Sequence, residues 1–345
     1  MTFQQAARVG RQAGHVGAQA ARVTARCSGQ VLGAGLRSGA RRYLPEPPPI
    51  EGVPEGRILD LPGRGGSTFV VDMPGPSPDA PTVVLLHALG CTAYLTWAPM
   101  LRRLSQDYRV VAFDLRWHGR GIRSPKFRFE DCADDVPAVL DVLGIDRAVV
   151  VGYSMGGAIA QLTWVRHRSR VAGLVLCSTA RNYRGGVGER LFFPVMTATM
   201  DPMSTYALER VERIARDLPL LPSADAADLN TWGIAELRST SAWAMPAALG
   251  ELGRFDSKSW ISGVDVPTAV VVTEKDRAIP ARRQHRLGEA IPGARVLTVE
   301  GGHTSLFMRA DRWQPVFLDA LTHVTITPTA ESGEVGKAAA PSREK

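Results

Sequence analysis

The sequence predicts an α/β fold: a mostly parallel central sheet flanked by helices, with a helical segment inserted between two strands. Three observations predict it. Short apolar, largely β-branched runs recur at 82–86, 109–113, 148–151, 171–177 and 268–273, and such runs read as strands buried on both faces. Stretches of helical periodicity separate them, which is the rhythm of parallel strands joined by right-handed crossovers. That rhythm breaks once, over residues 183–258, which hold no convincing strand but carry Phe192, Met196, Trp232 and Trp243 among helical segments.

The elements follow in order. Residues 1–50 form an arm and a linker. The first 45 contain seven arginines and no Asp or Glu. Removing those seven from the 41 basic residues leaves 34, matching the 34 acidic ones, so the formal charge of +7 belongs to the arm. The arm lacks the compact apolar core of a secretory signal, although its Arg-rich, acid-free composition superficially matches a transit peptide. It reads as a solvated, flexible extension, with weak contact to an anionic membrane as the other reading, since its apolar residues are mostly alanine and valine. Leu44-Pro45-Glu46-Pro47-Pro48-Pro49 is a stiff polyproline linker.

From Gly56 the pattern becomes that of a folded domain. Runs 57–61 and 68–72 flank Pro62-Gly63-Arg64-Gly65-Gly66, a hairpin signal. Strand 82–86 ends in His87-Ala88-Leu89-Gly90 and leads to a helix near 94–104. Strand 109–113 runs into Asp114-Leu115-Arg116-Trp117-His118-Gly119. Phe129, Val136, Val139, Leu140 and Leu143 make one face of a helix that Gly144 ends. After the insertion, strand 268–273 leads to Asp276 and a helix to about 290; strand 295–299 leads to Gly301-Gly302-His303 and a helix to about 324. The division is therefore a core of 51–182 and 259–325, a cap of 183–258, and a polar, disordered tail over 326–345.

Composition excludes several functions. Hydrophobic content of 45% and charged content of 22% are those of an ordinary globular chain, and no apolar run spans a membrane. Cys27, Cys91, Cys132 and Cys177 fall in unrelated contexts and read as reduced thiols of a cytoplasmic protein. No phosphate loop, nucleotide fingerprint or metal-ligand cluster is visible. No cofactor, metal or nucleic-acid partner is expected, and oligomeric state is not legible.

The informative stretch is Ala148-Val149-Val150-Val151-Gly152-Tyr153-Ser154-Met155-Gly156-Gly157. A buried strand, a Gly-x-Ser-x-Gly turn and a helix follow one another, with the serine at the apex. The bland reading is a glycine-rich turn with an incidental serine; the flanking strand and helix weigh against it. On these residues the chain resembles the α/β-hydrolase fold family, in its serine-hydrolase branch, over about residues 55–325.

The resemblance implies a Ser-Asp-His triad in that chain order. Ser154 takes the position of nucleophile. Asp276, just past a buried strand in a loop closed by Pro280, takes that of the acid, with Glu274 and Asp265 as alternatives. His303, behind two glycines, takes that of the base. His15, His167, His285 and His323 lie in the arm or on helices, and His118 belongs to a structural segment at the rim. The oxyanion donors are expected to be the backbone N–H groups of Met155 and, in a loop resembling the family's His-Gly-x-Gly, Leu89. Ala88 departs from that spelling, and His87 orders the loop. Serine at position 154 sets the chain apart from dehalogenases and epoxide hydrolases of the same fold, which carry aspartate there.

The expected activity is cleavage of a small or medium hydrophobic carboxylic ester through an acyl-enzyme. Phe192, Met196, Trp232 and Trp243 of the cap are candidates to face the substrate. Lactone hydrolysis, carbon–carbon bond hydrolysis, acyl transfer and perhydrolysis use the same triad. A non-catalytic binder and a membrane-docked module are the alternatives from other classes.

Overall fold

The computed structural model describes residues 53–186, 189–190, 192–195, 236, 239–240 and 244–326. The arm and linker, most of the cap and the tail, including Met196, Trp232 and Trp243, lie outside the described residues.

β1 (Arg57–Leu61) and β2 (Gly66–Met73) form the antiparallel hairpin that the glycine-rich turn predicts. Then follow β3 (Thr82–Leu86), α1 (Ala93–Leu104), β4 (Arg109–Phe113), α2 (Phe129–Val142), β5 (Ala148–Tyr153), α3 (Met155–Arg166) and β6 (Val171–Cys177). Beyond the insertion come α4 (Ala244–Arg254), β7 (Thr268–Thr273), α5 (Ala281–Ala290), β8 (Arg295–Val299), α6 (Ser305–Met308) and α7 (Ala310–Ile326). The sheet order is β1-β2-β4-β3-β5-β6-β7-β8. β2 pairs antiparallel with β4, and the strands from β4 to β8 run parallel. The chain leaves β3 toward one edge and β5 toward the other. The loops after β3 and β5 thus meet where the strand order reverses, the place where open α/β sheets bind ligands.

Strand periodicity builds two apolar layers. Val84, Leu86, Val150 and Leu174 face α2 and α3, with Trp164 of α3 fully buried among them. Val83, Leu85, Val149 and Val175 face the other way, against Trp97 of α1 and Trp313 and Phe317 of α7. The last two rings stack at 4.6 Å. Among the described residues no helix is long and apolar enough to cross a membrane.

The two ends of the insertion are pinched together. Asn182 and Asp256 form an isolated antiparallel bridge, and Ser257 N–H donates to the Arg181 carbonyl at 2.8 Å. From there α4 buries Ala244, Ala247, Ala248 and Leu252 in the same apolar layer as α2 and α3.

One buried ion pair ties the hairpin to this framework. Arg116 grips Asp135 of α2 through Nε at 2.6 Å and Nη2 at 2.8 Å, and Arg64 of the hairpin turn adds a bond at 2.7 Å. Both Arg116 and Asp135 side chains are almost fully buried. Removing one partner would strand a buried charge, which typically costs about 3–5 kcal/mol. Asp135→Ala is therefore expected to lose about 3 kcal/mol in urea unfolding. A loss below about 1 kcal/mol would show that solvent or a neighbouring group compensates Arg116.

Candidate active site

Ser154 sits between β5 and α3 in a left-handed conformation, φ 55 and ψ −113. For a residue other than glycine this geometry costs on the order of 1–3 kcal/mol, so its surroundings must impose it. They do so through close approach. A Cβ on Gly152 would lie 2.2 Å from the Gly156 carbonyl oxygen, and one on Gly156 would lie 2.3 Å from the Leu86 carbonyl oxygen. Only glycine lets α3 start so near the ends of β5 and β3. The Ser154 N–H donates to the Cys177 carbonyl at 2.9 Å, which fastens the turn to β6.

Three sequence-expected side chains meet here. Ser154 Oγ is 2.9 Å from His303 Nε2, and His303 Nδ1 is 2.7 Å from Asp276 Oδ2. The Asp276 side chain is fully buried, while that of His303 keeps 22% exposure. Both ring nitrogens are therefore engaged, one on a hydroxyl and one on a carboxylate. Such a chain of groups can move a proton from the serine to the imidazole. The competing acids are occupied elsewhere: Glu274 pairs with His285 at 2.9 Å, and Asp265 accepts from the Trp164 indole at 3.1 Å.

The seat of Asp276 contains groups that the sequence did not announce. Oδ1 accepts from the N–H groups of Ala278 and Ile279, each at 2.8 Å. Oδ2 accepts from Thr273 Oγ1 at 2.8 Å and from Gln284 Nε2 at 3.1 Å, besides His303. The Gln284 amide is itself oriented: its oxygen accepts from Thr273 N–H at 3.0 Å and its nitrogen donates to the Ile279 carbonyl at 2.7 Å. Tyr153 holds the histidine loop from below, donating to the His303 carbonyl at 2.7 Å. Burial pushes the Tyr153 phenol far up, so it acts there as a neutral donor. The signal for Thr273 and Gln284 was weak: a threonine ending an apolar strand, and a lone polar residue on the buried face of α5.

The loop after β3 is fixed at its first residues. Ala88 N–H donates to Thr96 Oγ1 at 3.2 Å, and the Ala88 carbonyl accepts from His87 Nδ1 at 2.8 Å and from Cys91 N–H at 3.2 Å. With Ala88 fully used, Leu89 N–H is the next donor along the loop. Glycine is needed only at Gly90, where φ is +73, so the alanine at 88 causes no strain. Gly90 faces the Met245 sulfur: a Cβ there would lie 2.7 Å from it. Met155 N–H stands at the first turn of α3, where amide donors have no helical partner. Of the residues expected to face substrate, Phe192 is half-buried and packs against the apolar layer of α2 and α3.

His87 and His118 lie beneath this loop, rings 5.1 Å apart and both fully buried. His87 Nε2 accepts from Leu115 N–H at 2.9 Å, which sets the tautomer with the proton on Nδ1. Burial lowers the pKa of His87 to about 4 and, with His87 adding to it, that of His118 to about 3. His118 Nε2 has no hydrogen-bond partner among the described residues.

Comparison with known proteins bears on the fold. A model of the alpha/beta hydrolase fold matches residues 81–310. The chain is 28% identical over 272 residues to the magnesium-chelatase 30 kDa subunit of Rhodobacter capsulatus, covering 73% of this chain and 90% of that protein. It is 27% identical over 275 residues to a poly(3-hydroxyalkanoate) depolymerase of Ectopseudomonas oleovorans, covering 77% and 92%. Among solved structures it resembles the enol-lactonase of Burkholderia xenovorans LB400, with a TM-score of 0.59 and 26% identity over 77% of this chain and 100% of that one.

A histidine held neutral in the fold and free to take a proton when unfolded makes stability fall on acidification. For His118 the window runs from about 6.5, the unfolded value, down to about 3. Between pH 7 and pH 4.5 the urea midpoint of the wild type should therefore fall further than that of His118→Gln. Equal falls would show that His118 is not held neutral.

Proposed function

Because the chain belongs to the alpha/beta hydrolase fold family and is a hydrolase, we propose that it is a serine hydrolase cleaving a carboxylic ester of small or medium hydrophobic character through an acyl-enzyme. The observation that carries this reading is the hydrogen-bonded line from Ser154 through His303 to the buried Asp276, at 2.9 and 2.7 Å.

In this mechanism His303 Nε2 removes the proton of Ser154 as Oγ attacks the ester carbonyl. Asp276 holds the imidazole in the right tautomer and stabilises the imidazolium that forms. The carbonyl oxygen gains negative charge and is met by the N–H groups of Met155 and Leu89; one such donor is typically worth on the order of a hundredfold or more in rate. The tetrahedral adduct then collapses. The bond to the alcohol oxygen breaks, His303 gives that oxygen its proton, and the acyl group stays on Ser154. Water, deprotonated by His303, attacks the acyl carbon, and the acid leaves as the serine recovers its proton. No atom is left over, and no further group is required.

The names of the relatives divide between a chelatase subunit, a depolymerase and a lactonase, so the reaction type rests on the site. The hydrophobic substrate class is supported by the apolar residues at the oxyanion loop, where Leu89 is flanked by the Met245 thioether against Gly90. The same steps open a lactone, an internal ester, and the likeness to an enol-lactonase at 26% identity favours this as the second reading.

Intact-mass labelling with a fluorophosphonate tests the reading. Wild type should take one adduct, Ser154→Ala none, and His303→Ala and Asp276→Asn should react at least about a hundredfold more slowly. Absence of an adduct on folded wild type would overturn it. Gln284→Leu, which removes a donor from Asp276 Oδ2, should lower kcat on p-nitrophenyl butyrate by about tenfold with little change in KM. An unchanged kcat would show that Thr273 and the two backbone donors suffice to hold the carboxylate.

A further inference from the structure

Three residues of the inserted segment, Glu236, Ser239 and Thr240, reach two loops of the sheet at once. Glu236 is 6% exposed. Its carboxylate accepts from the Thr92 hydroxyl at 2.7 Å and from Arg120 Nη2 at 3.1 Å. Thr240 Oγ1 accepts from Gly119 N–H at 3.1 Å, and the Ser239 carbonyl accepts from Arg123 Nη2 at 3.2 Å. Ser239 Oγ also donates to the Glu236 carbonyl at 2.6 Å.

Thr92 is the N-cap of α1, its Oγ1 accepting from Leu95 N–H at 3.1 Å. The hydroxyl has one proton, and Glu236 receives it, so its orientation is fixed. Asp114 grips the same helix start from the other side. Its carboxylate accepts from Ala93 N–H at 2.8 Å and from Arg120 N–H at 2.9 Å. Arg120 thus lies between two buried carboxylates, with its guanidinium 3.7 Å from the centre of the Phe69 ring. Burial raises the pKa of both carboxyls. The cation and the N-terminal end of α1 oppose that shift.

We infer that Glu236 is a positioning residue for the oxyanion loop: through Thr92 it fixes the start of α1 and so aims the Leu89 N–H. The inference rests on the reading of Leu89 as second oxyanion donor. Its force comes from where the loop is held. At the near end Ala88 is tied on both sides, to Thr96 and to His87. In the middle Gly90, at φ +73, has no side chain to anchor it. The far end is Thr92, and its hydroxyl is bonded to Glu236. A preorganised donor works only while it points at the developing oxyanion, so slack at Thr92 would be felt in the transition state more than in substrate binding. Losing Glu236 leaves Arg120 paired with Asp114, so the α1 start keeps one of its two anchors.

Steady-state kinetics on p-nitrophenyl butyrate and the rate of fluorophosphonate labelling, whose adduct also places an oxygen in the oxyanion site, test the inference. Glu236→Ala and Thr92→Val should each lower kcat and the labelling rate by about tenfold, a fraction of the loss of a whole donor, with KM within about twofold. Thr92→Ser, which keeps the hydroxyl, should recover most of the rate. The double variant should be no slower than the worse single one, because both remove the same bond. Should Glu236→Ala fail to fold, the Thr92→Val and Thr92→Ser pair carries the same test. An unchanged kcat, or a raised KM alone, would overturn the inference while leaving the serine-hydrolase reading standing. A wild type that takes no label would overturn that reading and this inference with it.

Discussion

The start of α3 passes so close to the ends of β5 and β3 that no side chain fits at Gly152 or Gly156, and the site depends on that approach. It forces Ser154 into its left-handed conformation. It also brings the Leu86 and His87 carbonyls against the first turn of α3, which sets the loop carrying Leu89 beside Met155. One contact between backbones therefore governs the nucleophile and both expected oxyanion donors. Strain at the serine is maintained because relaxing it would mean pulling a helix off a sheet buried on both faces.

Around this contact the polar groups follow one rule: each buried carboxylate has donors to meet it. Asp276 has two backbone and three side-chain donors. Asp135 has two arginines, and Asp114 has two amides and Arg120. The exceptions are informative. His87 and His118 are held neutral under the loop after β3, because a charged imidazole buried there would lose more hydration than its bonds restore. Rigidity at the site thus comes from satisfied acids above and uncharged bases below.

The sheet, its order of strands and helices, and the serine were legible because each depends on local pattern. β-branched runs state buried strands, and Gly-x-Ser-x-Gly between a strand and a helix states a turn. Asp276 and His303 were legible by place, each just past a strand that ends at the same edge of the sheet. Gln284, Tyr153 and Glu236 were not. Each is an ordinary residue by local pattern; Gln284 is tied to Asp276 only once the loop between them folds back, Tyr153 bonds a carbonyl 150 positions away and Glu236 a hydroxyl 144 positions away. The departure at Ala88 likewise causes no backbone strain, since the loop position at positive φ is Gly90.

The sequence by itself determined the fold class, the strained serine turn, and the serine and histidine that meet there. Periodicity and backbone sterics act over a few residues and need no partner. Only the tertiary structure decided which competing acid sits beside His303, how that acid is oriented, and what the start of α1 is bonded to. Those outcomes depend on distances of about 3 Å between atoms of distant segments, and a hydrogen bond is lost within a few tenths of an ångström beyond that range.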